Sequence, residues 1–139
     1  MPSSPSLQTV TTAQAPAAIG PYAQAVVANG LVYTSGQIPL DPQSMEVVAG
    51  GIVEQTERVM VSLAAVLSAA GSSLDQVIKT TCFVTDLGDF AAFNEVYGRH
   101  FAEHTPARST VQVAALPRGV RVEVECIATV SWGGSVGAG

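Results

Sequence analysis

The sequence predicts an α+β fold, in which a mixed β-sheet carries two helices on one face. Two segments have apolar residues at helical spacing, and most other apolar residues fall in short runs typical of strands. The order along the chain is strand, strand, helix, strand, helix, strand, strand. Two helices can cover only one face of such a sheet, so the other face is solvated or covered by another chain.

The first two strands carry the clearest local pattern. Residues 24–28 and 31–35 are extended runs separated by Asn29 and Gly30. Both residues tolerate the positive φ that a type I′ turn requires, which predicts a β-hairpin. Residues 7–12 are a candidate for one more strand.

The two helices are predicted from their apolar stripes. A stripe over 52–70 is followed by Gly71, which suits the left-handed residue that ends many helices. A second helix is predicted over 90–104, with Asp89 as its N-cap. Its apolar side consists of Phe90, Phe93, Val96, Tyr97 and Phe101.

Three more strands are predicted over 77–85, 109–116 and 121–130. The last two are separated by Pro-Arg-Gly at 117–119, which favours a tight antiparallel connection between them. In the strand over 77–85, neither alternating set of side chains is strongly polar. The uncovered sheet face should therefore be half apolar, and we expect a second copy of the chain to bury it in a homo-oligomer.

The length of 139 residues is typical of one domain, which we place at 7–131. Residues 1–6 and 132–139 lack periodicity and are rich in Gly, Pro and Ser. We expect these two segments to be flexible.

The charge balance excludes several classes of protein. Six Lys and Arg stand against eleven Asp and Glu, no two basic residues are adjacent, and the net charge is −5. A nucleic-acid surface needs clustered basic residues, so no nucleic-acid partner is expected. No basic residue precedes Arg58, which argues against a secretory or mitochondrial leader. No apolar run reaches the roughly 18 to 20 residues that span a bilayer, so we expect a cytoplasmic protein without a membrane partner.

Cysteine and histidine residues offer little support for a metal or redox site. Cys82 and Cys126 lie in β-branched runs and are interpreted as free thiols of the core, with a redox or metal role as the alternative. His100 and His104 are one helical turn apart, a spacing that could bind a metal. The pattern of a metalloprotease is absent, however, and a solvated helix end is the favoured interpretation.

Arg108 is the first candidate for a binding residue. It lies in Pro-Ala-Arg-Ser-Thr at 106–110, where a strand begins directly after a helix and a proline. A guanidinium is always charged and matches the two oxygens of a carboxylate, so Arg108 could anchor a small acid. The alternative is a salt bridge, either at the surface or between subunits.

Glu123 is the first candidate for proton transfer. Alternation over 121–126 puts Glu123 and Glu125 on one face of a strand, opposite Val122 and Val124. A carboxylate beside substrate and water could move protons, and a solvated or intersubunit surface is the alternative.

Two glycine-containing segments could contribute to the same site. Tyr22 follows Gly-Pro, and Ser35 precedes Gly36, which would allow a ligand to approach the backbone. Turn formation explains the glycines equally well. The sequence has no glycine-rich phosphate loop and no nucleophile elbow, so nucleotide cofactors and a hydrolytic triad have no support.

These segments together resemble the RidA group of the Rid superfamily of reactive intermediate deaminases. The resemblance extends over about 17–130, through several separate motifs in the same order. They are Ala-Ala-Ile-Gly-Pro-Tyr (17–22), Thr-Ser-Gly-Gln-Ile-Pro (34–39), Ala-Ala-Gly (69–71), Lys-Thr-Thr (79–81), Asp-Phe with Phe-Asn (89–94), Pro-Ala-Arg-Ser-Thr (106–110), Leu-Pro (116–117) and Glu-Val-Glu (123–125).

The resemblance implies a chorismate-mutase-like fold that assembles as a homotrimer, with the sheets forming a barrel and a pocket at each interface. It also implies hydrolytic deamination of enamines and imines, such as 2-aminoacrylate and 2-aminocrotonate, to 2-keto acids without a cofactor. Arg108 would bind the substrate carboxylate and Glu123 would position water or transfer protons. The other residues implied to form or support the pocket are Tyr22, Ser35, Gly36, Asn94 and Thr110.

Two departures from the family pattern stand out. Thr110 occupies a position where many relatives have cysteine, so a thiol is absent there, although a backbone carbonyl at that position could still hold the water. Ala115 replaces an arginine that often precedes Leu-Pro. Two other functions remain open. One is a protein that binds small 2-keto acids without turnover. The other is the nuclease or translation-inhibitor role of some relatives, which the acidic charge balance of this chain disfavours.

Overall fold

The computed structural model describes residues 6–130, which form six strands and two α-helices. The predicted flexible ends 1–6 and 132–139 fall almost entirely outside this range. The α+β class and the helix and strand order are confirmed, with residues 7–12 contributing the first strand. The elements are β1 (Gln8–Val10), β2 (Ala25–Ala28), β3 (Leu31–Thr34), α1 (Ile52–Ala69), β4 (Val77–Val84), α2 (Phe90–Phe101), β5 (Ala107–Gln112) and β6 (Val122–Thr129).

The six strands form one mixed sheet in the order β1-β2-β3-β6-β4-β5. All neighbours are antiparallel except β4 and β5, which are parallel and joined through α2. The predicted tight antiparallel connection between the last two strands is therefore wrong, because β4 lies between them. Pro117–Gly119 forms a short 3-10 turn, with Arg118 at a φ of 61°, in the longer connection from the sheet edge to its centre.

Local turn chemistry agrees with the predictions for the hairpin and for α1. Asn29 and Gly30 have φ values of 53° and 78°, and Ala28 pairs with Leu31. Gly71 has a φ of 83° after the end of α1, where the Ser72 amide donates to the Leu67 carbonyl at 2.8 Å. Both turns use residues that accept the left-handed region at low energy.

The core lies between the two helices and one face of the sheet. α1 buries the predicted stripe, and β6 turns alternate residues toward it, so that Val122, Val124 and Ala128 are fully buried. Cys82 and Cys126 are free and buried in this core, as predicted. Desolvation raises the pKa of the Cys82 thiol to about 11, which keeps it protonated at neutral pH.

The end of α2 differs from the prediction. The helix stops at Phe101, three residues early, and Asp89 occupies the N-cap position without a capping side-chain hydrogen bond. His100 Nε2 lies 2.8 Å from Glu57, whereas His104 Nε2 lies 2.6 Å from the Val77 carbonyl and is partly buried. The interpretation of His104 as part of a solvated helix end is therefore wrong. Within residues 6–130 no three metal-ligating side chains cluster.

The face opposite the helices, called here the open face, is uncovered in the single chain. A β-bulge after Val77 leaves Ile78 exposed and sets the register of the rest of β4. The open face then carries Val26, Tyr33, Lys79, Thr81, Phe83, Val111, Glu123, Glu125 and Ile127. Tyr33 and Val111 are 44% and 43% exposed. Neither helix in the described part of the chain could cross a membrane.

Candidate functional site

Arg108 projects from the edge strand β5 on the helix side of the sheet. It pairs with Thr80 of β4, whose side chain is buried beneath the helices, and paired residues share a face. Its Nη1 donates a hydrogen bond of 2.7 Å to Oδ1 of Asn94 on α2. The Asn94 amide, which the family resemblance predicts to support the pocket, therefore holds one nitrogen of the guanidinium.

Three aromatic rings of α2 surround the same guanidinium. Its central carbon lies 4.9 Å from the ring centre of Tyr97, 5.4 Å from Phe90 and 5.9 Å from Phe93. These distances are within the range of cation–π attraction. The sequence predicts these rings only as part of the apolar stripe of the helix. Their helical spacing, on the helix that directly precedes the strand of Arg108, was the sequence signal that they also contact its guanidinium.

The guanidinium has no carboxylate partner within the described residues. Four ion pairs are formed there, and Arg108 belongs to none of them. A cavity of about 470 Å³, the arginine pocket, lies beside it, lined by Leu87, Phe90, Arg108 and Thr110. The Thr110 hydroxyl is buried there without a hydrogen-bond partner among residues 6–130. A surface salt bridge within one chain therefore does not account for Arg108.

Glu123 lies on the open face of β6, paired with Phe83 of β4. Partial burial raises the pKa of its carboxyl, and the negative charge of Glu125 on the same face raises it further. A carboxyl with a raised pKa is better suited to exchange protons near neutral pH than an ordinary one.

A second cavity, of about 620 Å³, lies at Glu123 and is called here the glutamate pocket. It contains the predicted residues Tyr22, Ser35, Gly36 and Glu123, together with Ile19, Ile38, Leu40, Pro117, Arg118 and Glu125. The apolar wall of Ile19, Ile38 and Leu40 is not among the residues predicted from the sequence. Ile19 and Ile38 had a local signal, because they lie in the same segments as Tyr22 and Gly36.

The close approach of the Glu123 side chain to the backbone explains why residue 36 is a glycine. A Cβ atom at Gly36 would lie 2.7 Å from Cδ of Glu123, closer than side chains approach, so the carboxyl occupies the space that glycine leaves. Ser35 Oγ donates to the Ala23 carbonyl at 2.6 Å, and the Tyr22 hydroxyl accepts from the Ile19 amide at 3.2 Å. Both hydroxyls thus also hold the local backbone.

The predicted site residues form two groups on opposite faces of the sheet. Arg108, Asn94 and Thr110 lie on the helix side at the edge, whereas Tyr22, Ser35, Gly36 and Glu123 line the glutamate pocket of the open face. Arg108 pairs with Thr80 of β4, and Glu123 pairs with Phe83 of the same strand. Because Thr80 and Phe83 are an odd number of residues apart on β4, their side chains point to opposite faces, and so do those of Arg108 and Glu123. One chain does not bring the two groups into a single pocket.

Known proteins of similar sequence and structure cover most of the chain. Protein DfrA of Myxococcus xanthus is 59% identical over 83% of this chain and 89% of its own length. The 2-iminobutanoate/2-iminopropanoate deaminase of Mus musculus is 49% identical over 86% of this chain and 87% of its own. The crystal structure of E. coli TdcF with bound serine superposes with a TM-score of 0.85 at 46% identity, over 89% of this chain and 99% of that chain.

The Endoribonuclease L-PSP family matches residues 12–130, which is nearly the whole of the described chain. This match and the identities above agree with the motifs at 17–22, 34–39 and 106–110. The protein therefore belongs to the Endoribonuclease L-PSP family, within the Rid superfamily, and is RidA-like.

Proposed function

We propose that this protein is a hydrolytic deaminase of 2-imino acids and their enamine tautomers, of the 2-aminoacrylate and 2-aminocrotonate type. The observation that carries the proposal is Arg108, a guanidinium held by Asn94 and three rings beside a cavity, without a carboxylate partner in the described chain. This arrangement suits the carboxylate of a small acid. The name of the mouse relative supports the same reaction.

The complete site forms between two copies of the chain, in a homotrimer of chorismate-mutase-like subunits. Two observations support this assembly. The open face exposes Tyr33 and Val111, apolar surface that a second sheet would bury. Arg108 and Glu123 also lie on opposite faces, so an arginine pocket can meet a glutamate pocket only across a subunit interface.

The reaction needs orientation and proton transfer. Arg108 of one subunit binds the substrate carboxylate, which places the C=N carbon at the glutamate pocket of the next. Glu123 accepts a proton from water as the oxygen bonds to that carbon, and the C=N electron pair moves to nitrogen. Glu123 returns that proton to nitrogen, which gives a carbinolamine. The carboxylate then takes the hydroxyl proton and passes it to the amino group, and the C–N bond breaks as C=O forms, so that ammonia and the 2-keto acid are released. The imine carbon is already electrophilic, so no cofactor is required.

A coupled assay tests the reaction. A threonine dehydratase generates the enamine in the cuvette, and its ultraviolet absorbance reports its lifetime with and without this protein. We expect the protein to shorten that lifetime and to release ammonia and 2-keto acid in equal amounts. Binding of a 2-keto acid by calorimetry without any effect on the lifetime would instead support the non-catalytic binding protein.

A mixing experiment tests where the site forms. The variants Arg108→Ala and Glu123→Gln are each expected to retain about one hundredth or less of the parent activity, because every interface lacks one of the two groups. After unfolding and refolding of an equimolar mixture, about one quarter of the interfaces in a random trimer combine an intact Arg108 with an intact Glu123. Activity near that fraction of the parent is expected. Activity no higher than that of the separate variants would place both residues in one chain's site.

A further inference from the structure

Next to Arg108, two buried hydroxyls join the helix α2 to β4, the strand that pairs with β5. We propose that Tyr97 and Thr80 are a positioning pair for Arg108, which fixes the plane of the guanidinium and thereby sets the affinity for the substrate carboxylate. The inference rests on the proposed function, because it takes Arg108 to be the carboxylate anchor.

Tyr97 is the ring nearest to the guanidinium. The distance from its ring centre to the central carbon of Arg108 is 4.9 Å, and the Phe90 and Phe93 rings are farther away. Tyr97 itself packs between two rings of α2, with ring centres 5.4 Å away in Phe93 and 4.8 Å away in Phe101. Its ring therefore forms a fixed surface under the cation.

Thr80 connects this ring to the strand beside Arg108. Its side chain is fully buried, and its Oγ1 lies 2.7 Å from the Tyr97 hydroxyl, within hydrogen-bond distance. Thr80 is also the residue of β4 that pairs with Arg108 of β5. Each of the three residues therefore contacts the other two. Thr80 pairs with Arg108 in the sheet and lies within hydrogen-bond distance of the Tyr97 hydroxyl, and the Tyr97 ring lies next to the guanidinium.

Packing alone does not require these hydroxyls. Phenylalanine and valine would fill similar space without placing polar groups in the core, where an unpaired hydroxyl is unfavourable. A hydrogen bond, unlike apolar contact, is directional, so the pair fixes the angle of the ring. Asn94 holds one nitrogen of the guanidinium and the Tyr97 ring holds its plane, leaving the remaining nitrogens free for a carboxylate.

Three variants test the pair: Tyr97→Phe, Thr80→Val and the double variant. Thr56→Val is the matched control, because Thr56 is also fully buried and its hydroxyl has no partner within residues 6–130. The measurements are KM and kcat in the coupled assay, the Kd of a 2-keto acid by calorimetry, and the thermal unfolding midpoint.

Both single variants and the double variant are expected to raise KM and the keto-acid Kd about tenfold, the ratio typical of one lost hydrogen bond. The value of kcat should change less than about twofold, because the carboxylate contact is the same in ground and transition states. The double variant leaves neither hydroxyl unpaired, so its unfolding midpoint should recover while its KM stays high. Thr56→Val should keep the KM of the parent.

Two results would overturn the inference. One is an unchanged KM in all three variants while Arg108→Ala raises it, which would make the pair purely structural. The other is a KM that recovers together with the unfolding midpoint in the double variant. If Arg108→Ala itself leaves KM and kcat unchanged, the proposed function fails instead, so the two failures are distinguishable. If a single variant does not fold, the double variant and the control decide.

Discussion

The arginine pocket and the glutamate pocket differ in how much of their structure one chain supplies. The Arg108 guanidinium contacts four residues of α2 within the chain, namely Asn94 and three aromatic rings. Glu123 has no side-chain hydrogen bond to any described residue and occupies the space left by Gly36. Folding of one chain therefore fixes Arg108, the proposed carboxylate anchor, whereas it leaves Glu123, the proposed proton-transfer group, on the open face.

Loss of the anchor should have the largest effect. We expect Arg108→Ala to lower kcat/KM about 100- to 1000-fold, since it removes two charge-assisted hydrogen bonds to substrate. The coupled assay measures this change, and size-exclusion chromatography should show an unchanged assembly. Arg99→Ala is the control, because Arg99 is an exposed arginine of α2 paired with Glu95 at 3.9 Å. Equal activity of the two variants would contradict the role of Arg108.

Loss of the Glu123 carboxyl should act mainly on kcat. We expect Glu123→Gln to lower kcat about 100-fold, as is typical for removal of a general acid or base, with KM changed much less. The amide keeps the shape of the side chain but cannot exchange the proton. A rise in KM at constant kcat would show that Glu123 only binds substrate.

Filling the space beside Glu123 should have a smaller effect. In Gly36→Ala the new methyl group meets the Glu123 carboxyl and moves it, and we expect kcat to fall about tenfold. Gly98→Ala is the control, because a Cβ there has no neighbour within 4 Å. That variant should retain the kcat of the parent and be slightly more stable, since alanine favours a helix over glycine. An unchanged kcat in Gly36→Ala would mean that the carboxyl position is not critical.

The smallest expected effect concerns stability and pH. The folded-state pKa of Glu123 is raised, so stability is highest when the carboxyl is protonated and decreases as pH rises through that pKa. Glu123→Gln should therefore raise the unfolding midpoint at pH 7 by about 1–3 °C. The difference should vanish below pH 4, where both side chains are neutral. A lower midpoint for the variant at pH 7 would show that the ionised carboxylate is stabilised across the subunit interface.

Local features were predictable because short-range chemistry decides them. Asn29 and Gly30 determine a type I′ hairpin by their φ preferences, and Gly71 ends α1 for the same reason. The alternation in β6 assigns Val122 and Val124 to the core and Glu123 to the other face from side-chain period alone. The candidate residues were found from their chemistry and from family motifs.

The sequence by itself thus determined the order of the helices and strands, the hairpin, the two faces of β6 and the candidate site residues. Only the tertiary structure decided that β4 separates β5 from β6, because strand pairing depends on contacts far apart in the chain. That pairing puts Arg108 beneath α2 and Glu123 on the open face. As a result, aromatic rings from the apolar stripe of α2 contact the Arg108 guanidinium. Periodicity assigns a face to each residue within its own strand, but which faces coincide follows only from how the strands assemble.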